Sequence, residues 1–169
     1  FEIRTKFGSD ITRVLYFFVV GKKVILTNGF IKKSQKTPQA EIELAKKYKL
    51  PKSIIDFIPM HHGTTLVSYF YDKAKSASKD ELSEFIYRYP GPKPQTKETG
   101  IVMLADAIEA STRTIEDPTP KKLENKIGEV IRSRFIEGEL DECDLTLKDL
   151  TKIKEGFLKI LLGIHHHRI

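Results

Sequence analysis

Polar and apolar residues alternate over Glu2 to Phe7, and Thr12 to Val20 (TRVLYFFVV) is dense in β-branched and aromatic residues. Both patterns suit strands, where side chains alternate between two faces and branched residues pack on the pleat. Gly8-Ser9-Asp10 and Gly21-Lys22-Lys23 are turn signals, and Val24 to Thr27 supplies a third short strand. The pattern predicts a three-stranded antiparallel meander. A polar connection, Lys32 to Lys36, follows. Thr37 can then cap a helix and Pro38 suits its first position, so the period changes from 2 to 3.6 near Pro38. Ile42, Leu44 and Ala45 give a partly apolar helix to Tyr48.

From Leu50 onward the pattern is helical. Pro51 to Ile58 predicts a short helix ended by Pro59. His62-Gly63-Thr64-Thr65 leads into a helix through Tyr71 that fades in the Lys/Ser-rich stretch 73–78. Ser78-Lys79-Asp80-Glu81 has capping-box spacing and predicts a further helix to Tyr87. The prolines of Tyr89 to Pro94 demand an ordered loop. Lys97 to Arg113 is expected to be helical, with Ile101, Leu104, Ala105 and Ile108 on one face. Asp117-Pro118-Thr119-Pro120 caps the next helix, to about Glu137. In the last, Leu145 to Leu162, the positions Leu147, Leu150, Ile153, Phe157, Leu158 and Leu161 have helical spacing. The expected class is α+β: a small antiparallel three-stranded meander (1–42) followed by a partial all-α domain (43–169).

Charge sharpens this division. The net +6 is the sum of +7 in residues 1–49, with 11 Lys/Arg against 4 Asp/Glu, and −1 in residues 50–169, with 18 against 19. The basic excess lies in the β-rich lead, as in an electrostatic RNA binder, although a solvated basic face has the same composition. The single cysteine, Cys143, excludes an internal disulfide. No run of about 18 apolar residues exists, so no membrane segment is expected. Charges interrupt the first apolar stretch, which does not read as a signal peptide.

The words FEIR, RVLYFF, GFIKKSQKTP and EIELAKKYK resemble the RelE/HigB-type toxins, in the branch related to phage Gp49. The resemblance spans residues 1–49 and implies mRNA cleavage without a metal: Arg and Lys hold phosphates and stabilise charge while the RNA 2′-hydroxyl attacks. Arg4, Arg13, Lys32 and Lys33 are the residues to which it assigns RNA contact. Arg13 as a strand-edge residue and the lysines as loop solubilisers are the plainer alternatives.

The words MHHGTTL, RYPGPKPQTKE, MLADAIEA, PTP, LDECDLTLKDL and HHRI, in that order, resemble the cytoplasmic HD domain of PgpH-type seven-transmembrane HD proteins. The resemblance covers about residues 43–169. It implies a cytoplasmic bacterial phosphodiesterase that opens cyclic-di-AMP at a dinuclear Mn or Fe centre. Two metals share the charge on the attacking and leaving oxygens of a phosphodiester, and His and Asp suit such metals. The matching ligand positions are His61, His62 and Asp106, with His61 and His62 expected at a helix start and Asp106 mid-helix, facing them. Met60 stands where a Gln is expected. An aspartate on an apolar helix face is costly unless it has a partner, which favours a ligand role over a mere salt bridge or cap. Lys93 is the candidate for a substrate phosphate. The dyad that names the superfamily is missing, since no His in this chain is followed by Asp. The site is therefore expected to be incomplete and no catalytic set is whole, so this chain by itself is expected to be inactive.

Both resemblances share ELAKKYK (Glu43 to Lys49), so the chain reads as a chimera joined at that word. His165, His166 and His167 match the family's C-terminal HHRI, and an exposed helix end explains them equally. Cys143, among Glu139, Asp141, Glu142 and Asp144, is expected to be a semi-buried thiol with a raised pKa. An RNA-binding lead makes a direct prediction: affinity falls steeply with salt, and replacing Arg13, Lys32 and Lys33 with Ala abolishes it. Filter binding across a salt series checks this. Salt-independent binding, or an unchanged triple variant, would sink it.

Overall fold

The computed structural model describes the backbone of residues 2–7, 10–19, 23–31, 39–77 and 82–166, and the side chains of 42–77 and 82–164. The chain divides into two compact units, Phe1–Leu50 and Pro51–Ile169. In the first, β1 (Glu2–Phe7), β2 (Asp10–Val19) and β3 (Lys23–Ile31) form an antiparallel sheet in the order β1-β2-β3. Arg4 and Arg13 stand opposite each other in register. Leu15 pairs with Asn28 and Tyr16 with Leu26, so Thr27 is the extra residue of a bulge.

Helix α1 (Gln39–Lys47) carries the ELAKKYK word. It ends where Lys49 turns left-handed at φ 53°. The Lys49 amide donates to the Lys46 carbonyl at 2.9 Å and the Leu50 amide to Ala45 at 3.1 Å. This bond pair closes a helix C-terminus, usually around a glycine. The expected start signal, Thr37-Pro38, lies outside the described residues.

The described part of the second unit is helical: α2 (Lys52–Ile55), α3 (Phe57–Met60), α4 (Ser68–Ala77), α5 (Lys97–Thr112), α6 (Pro120–Ile136) and α7 (Leu147–His166), with one 3-10 turn at Glu84–Tyr87. Two local expectations are corrected. The single helix over 51–58 is two short ones, and Pro59 lies inside α3. It sits in the first turn, where a missing N–H costs no helical bond. Of the helix expected to run to Tyr87, the described residues form the 3-10 turn. Its proposed cap, Ser78 to Glu81, lies outside the described residues. An isolated antiparallel bridge, Leu66 to Arg88, ties the chain after α3 to the start of the proline-rich loop.

The long helices begin where their caps require. The Thr96 hydroxyl accepts from the Thr99 amide, and the Thr99 side chain accepts in return from the Thr96 amide. The Thr119 hydroxyl accepts from the Lys122 amide ahead of Pro120. Helix α5 packs on α6 and α6 on α7, around a core of Met103, Leu104, Ile108, Ile127, Val130, Ile131, Leu140, Cys143 and Leu150. Ile153, Phe157, Leu158 and Leu161 of α7 pack against it from partly buried positions. Leu147, expected on the same face, is exposed.

The buried stripe of α5 also differs from expectation. It runs through Gly100, Met103, Leu104 and Ile108, whereas Ile101 is 37% exposed. The helix is apolar on nearly every side, so periodicity left the stripe open and packing chose it. Gly100 marks the closest approach: a Cβ there would stand 2.9 Å from Leu145 Cδ1 and 3.1 Å from Cys143 Sγ.

Helix α7 starts on a reciprocal cap. The Thr146 amide donates to Asp149 Oδ2 and the Asp149 amide to Thr146 Oγ1, each at 3.1 Å. The Thr146 amide, then the Lys97 ammonium and the Thr146 hydroxyl, hold the Asp149 carboxyl at about 2 against an ordinary 3.8. A carboxylate depressed in the fold stabilises it above the unfolded value, and that contribution is lost as pH falls through the folded value. Asp149→Asn is therefore expected to flatten the fall in urea midpoint between about pH 4 and pH 2. An equal slope in variant and parent would overturn this.

Candidate metal centre

The three expected metal ligands come from two places. His61 is the C-cap of α3, and His62 follows it in the turn toward Thr65. They therefore stand at a helix end, not at the helix start expected from the sequence. Gly63 makes the turn possible, with φ +54°. Asp106 stands mid-helix on α5, two residues from the fully buried Leu104 and from Ile108. The fold brings His62 Nδ1 within 3.6 Å of Asp106 Oδ2, with both side chains largely buried.

The imidazoles are oriented by neighbours. His61 Nδ1 lies 2.8 Å from the Phe57 carbonyl; a proton on Nδ1 for that bond leaves the Nε2 lone pair available to a ligand. The His61 and His62 rings are 3.9 Å apart between centroids, tilted by 39°. Tyr89 stacks on the other ring partner, His62, at 4.2 Å and 20°.

The turn itself is tied on every side. The Thr65 hydroxyl donates to the His62 carbonyl at 2.8 Å. The Tyr89 amide donates to the Thr65 carbonyl at 3.0 Å, and Arg88 Nη1 to the Thr64 carbonyl at 3.2 Å. Glu139, fully buried after the end of α6, accepts from the Thr64 amide at 2.9 Å and from its hydroxyl at 2.5 Å.

These donors fit part of a metal shell. Two cis donors about 2.1 Å from one octahedral ion stand about 3.0 Å apart, somewhat closer than His62 and Asp106 stand here. Among the described residues no three His, Cys, Asp or Glu side chains gather closely enough to hold one ion. The geometry is thus a His62–Asp106 pair with His61 beside it.

Lys93 points its ammonium at the Gly138 carbonyl, 2.9 Å away, which joins the proline-rich loop to the end of α6. The side chains of Arg4 and Arg13 lie outside the described residues, as do Lys32, Lys33, His167 and the side chains of His165 and His166. Tyr89, Thr64 and Glu139 were not anticipated. Glu139 read as one of four acids around Cys143, and nothing in that acidic run separates it from its exposed neighbours Asp141, Glu142 and Asp144. The Cys143 thiol is raised as expected, but burial is the leading cause, ahead of Asp144 and Asp141.

Comparison with known proteins defines the class first. Over about three quarters of its length the chain is similar to an HD domain. More narrowly, the similarity is to the HD domain of PgpH proteins. The chain is 43% identical over 127 residues to Cyclic-di-AMP phosphodiesterase PgpH of Listeria monocytogenes and 41% identical over 126 residues to that of Bacillus subtilis. Each match covers 75% of this chain and 18% of the relative. The crystal structure of the L. monocytogenes PgpH HD domain in complex with cyclic-di-AMP matches with a TM-score of 0.72 and 42% identity, covering 78% of this chain and 61% of that one. The chain thus spans less than a fifth of the curated relatives' length. Residues 1–49 match the family model "Phage derived protein Gp49-like (DUF891)". No helix among the described residues is long and apolar enough to cross a membrane.

The thiol gives this region a simple probe. Cys143 is buried, donates to the Leu140 carbonyl at 3.2 Å and titrates above its ordinary range. Iodoacetamide at pH 8 is expected to label it slowly in the folded chain and fully in urea. Rapid labelling without urea would show the α6–α7 connection to be open.

Proposed function

We propose that residues 43–169 are part of an HD-type metal-dependent phosphodiesterase domain for a cyclic dinucleotide, and that this chain by itself does not turn over. The observation that carries the reading is the approach of His62 Nδ1 to Asp106 Oδ2, within a unit homologous to the PgpH HD domain. The His62–Asp106 pair, with His61 beside it, would supply part of the ligand set of a divalent-metal centre, Mn or Fe by the chemistry of imidazole and carboxylate donors. When bound, such metals polarise a phosphoryl oxygen and lower the pKa of water. The chain's own residues orient the ligands: the Phe57 carbonyl sets the His61 tautomer, and Tyr89 holds the plane of the His62 ring.

Lys93 is the substrate-phosphate candidate. An ammonium has three N–H donors, so its bond to Gly138 leaves two for a phosphate oxygen. Three ligands without an HD dyad fall short of a dinuclear shell, which is why no turnover is expected. A second reading is favoured by the Gp49-like match over 1–49: the basic lead is an RNA-binding module, with Arg4, Arg13, Lys32 and Lys33 as its contacts.

The test is direct. The chain with added Mn is expected to leave cyclic-di-AMP intact by chromatography. Replacing residues 1–42 with the upstream, HD-containing segment of a PgpH HD domain is expected to restore hydrolysis, and His62→Ala to remove it again. Turnover by the chain as it stands would show the site to be complete. No turnover by the extended chain would overturn the phosphodiesterase reading.

A further inference from the structure

We propose that Glu139 is a positioning residue for the histidine pair: its buried carboxylate fixes the turn on which His61 and His62 stand. This rests on the metal-site reading above and adds the group that preorganises it. Glu139 is 0% exposed, and a buried carboxylate is tolerated only when its oxygens are hydrogen-bonded. Its Oε2 accepts from the Thr64 amide and its Oε1 from the Thr64 hydroxyl. Both bonds go to one residue, two places after His62. With Arg88 on the Thr64 carbonyl, all three polar groups of Thr64 are engaged.

Gly63 shows how closely carboxylate and turn are fitted. A Cβ there would overlap Glu139 Oε2 and stand 2.6 Å from Met103 Cε. The space above Gly63 is thus filled by the carboxylate and by a core side chain of α5, the helix that carries Asp106. Glu139 is itself fixed from behind: its amide donates to the Arg134 carbonyl at 3.0 Å, and Gly138 takes φ +70° to let α6 end there. The end of α6 thus determines where the turn lies, and the turn determines how His62 meets Asp106 and Tyr89.

Three variants of the full chain separate positioning from simple stabilisation. Glu139→Ala removes both acceptors. Thr64→Val removes the hydroxyl donor at nearly constant volume. Glu139→Gln keeps the shape, accepting from the Thr64 amide through its carbonyl and donating to the Thr64 oxygen through its NH2. Mn(II) affinity, read by water-proton relaxation, is expected to fall about 10- to 100-fold in the Ala and Val variants, the usual effect of losing an outer partner of a metal ligand. It is expected to stay near the parent in Gln. In the metal-free chain the nuclear Overhauser effect between the His62 and Tyr89 rings should weaken in Ala and Val and persist in Gln.

A lowered melting temperature with an unchanged ring contact and unchanged affinity would overturn the proposal, as would loss of the ring contact in Gln. If Glu139→Ala does not fold, Thr64→Val decides. If the parent chain binds too little Mn(II) to compare, the metal-free ring contact alone decides the role of Glu139.

Discussion

A carboxyl group is costly to hold away from water unless the protein supplies the hydrogen bonds that water would have made. At Glu139 those bonds come from Thr64, in a turn 75 residues earlier in the chain. The turn has little regular structure of its own: α3 has ended, α4 has not begun, and Gly63 is left-handed. Its shape therefore depends on the groups around it. Glu139 reaches it from the end of α6, Arg88 from beyond the 3-10 turn, and Tyr89 from the start of the proline-rich loop.

The helices behind this turn make its position reproducible. The α5 stripe of Met103, Leu104 and Ile108 is all but inaccessible to solvent, as are Leu123 and Ile127 of α6. Removing that much apolar surface from water is the main favourable term in such a fold. Burial of Leu104 and Ile108 also limits how far α5 can rotate, and with it Asp106. Gly100 lets the α6–α7 connection approach α5 closely, which brings Leu140 and Cys143 into the core and Glu139 to the turn. Packing and polar contacts thus act in series: the apolar seam places α5 and the end of α6, and the polar ties place the histidines against them.

Much of the helical unit was legible because its signals are local. Thr119 caps α6 ahead of Pro120 as the sequence signalled, and α5 and α6 run nearly as the periodicity predicted. The pairing of His62 with Asp106 was expected from resemblance and not from spacing, since 44 positions separate them. What failed to read was the choice among near-equals. Ile101 and Met103 are equally apolar, yet only Met103 is buried. Glu139 and Glu142 are the same residue three places apart, yet one is sealed in and the other exposed.

The sequence by itself determined the change from strand-like to helical period near Pro38, the Thr119 cap, the division of charge, and two family resemblances, because each depends on neighbours along the chain. The tertiary structure decided which face of α5 turns inward, that the histidines close α3 instead of opening α4, and that one of four clustered acids becomes the buried partner of Thr64. Those outcomes depend on which surfaces meet when α5, α6 and α7 pack. The free energy of a side chain there is set by what surrounds it in space, which no local pattern of residues encodes.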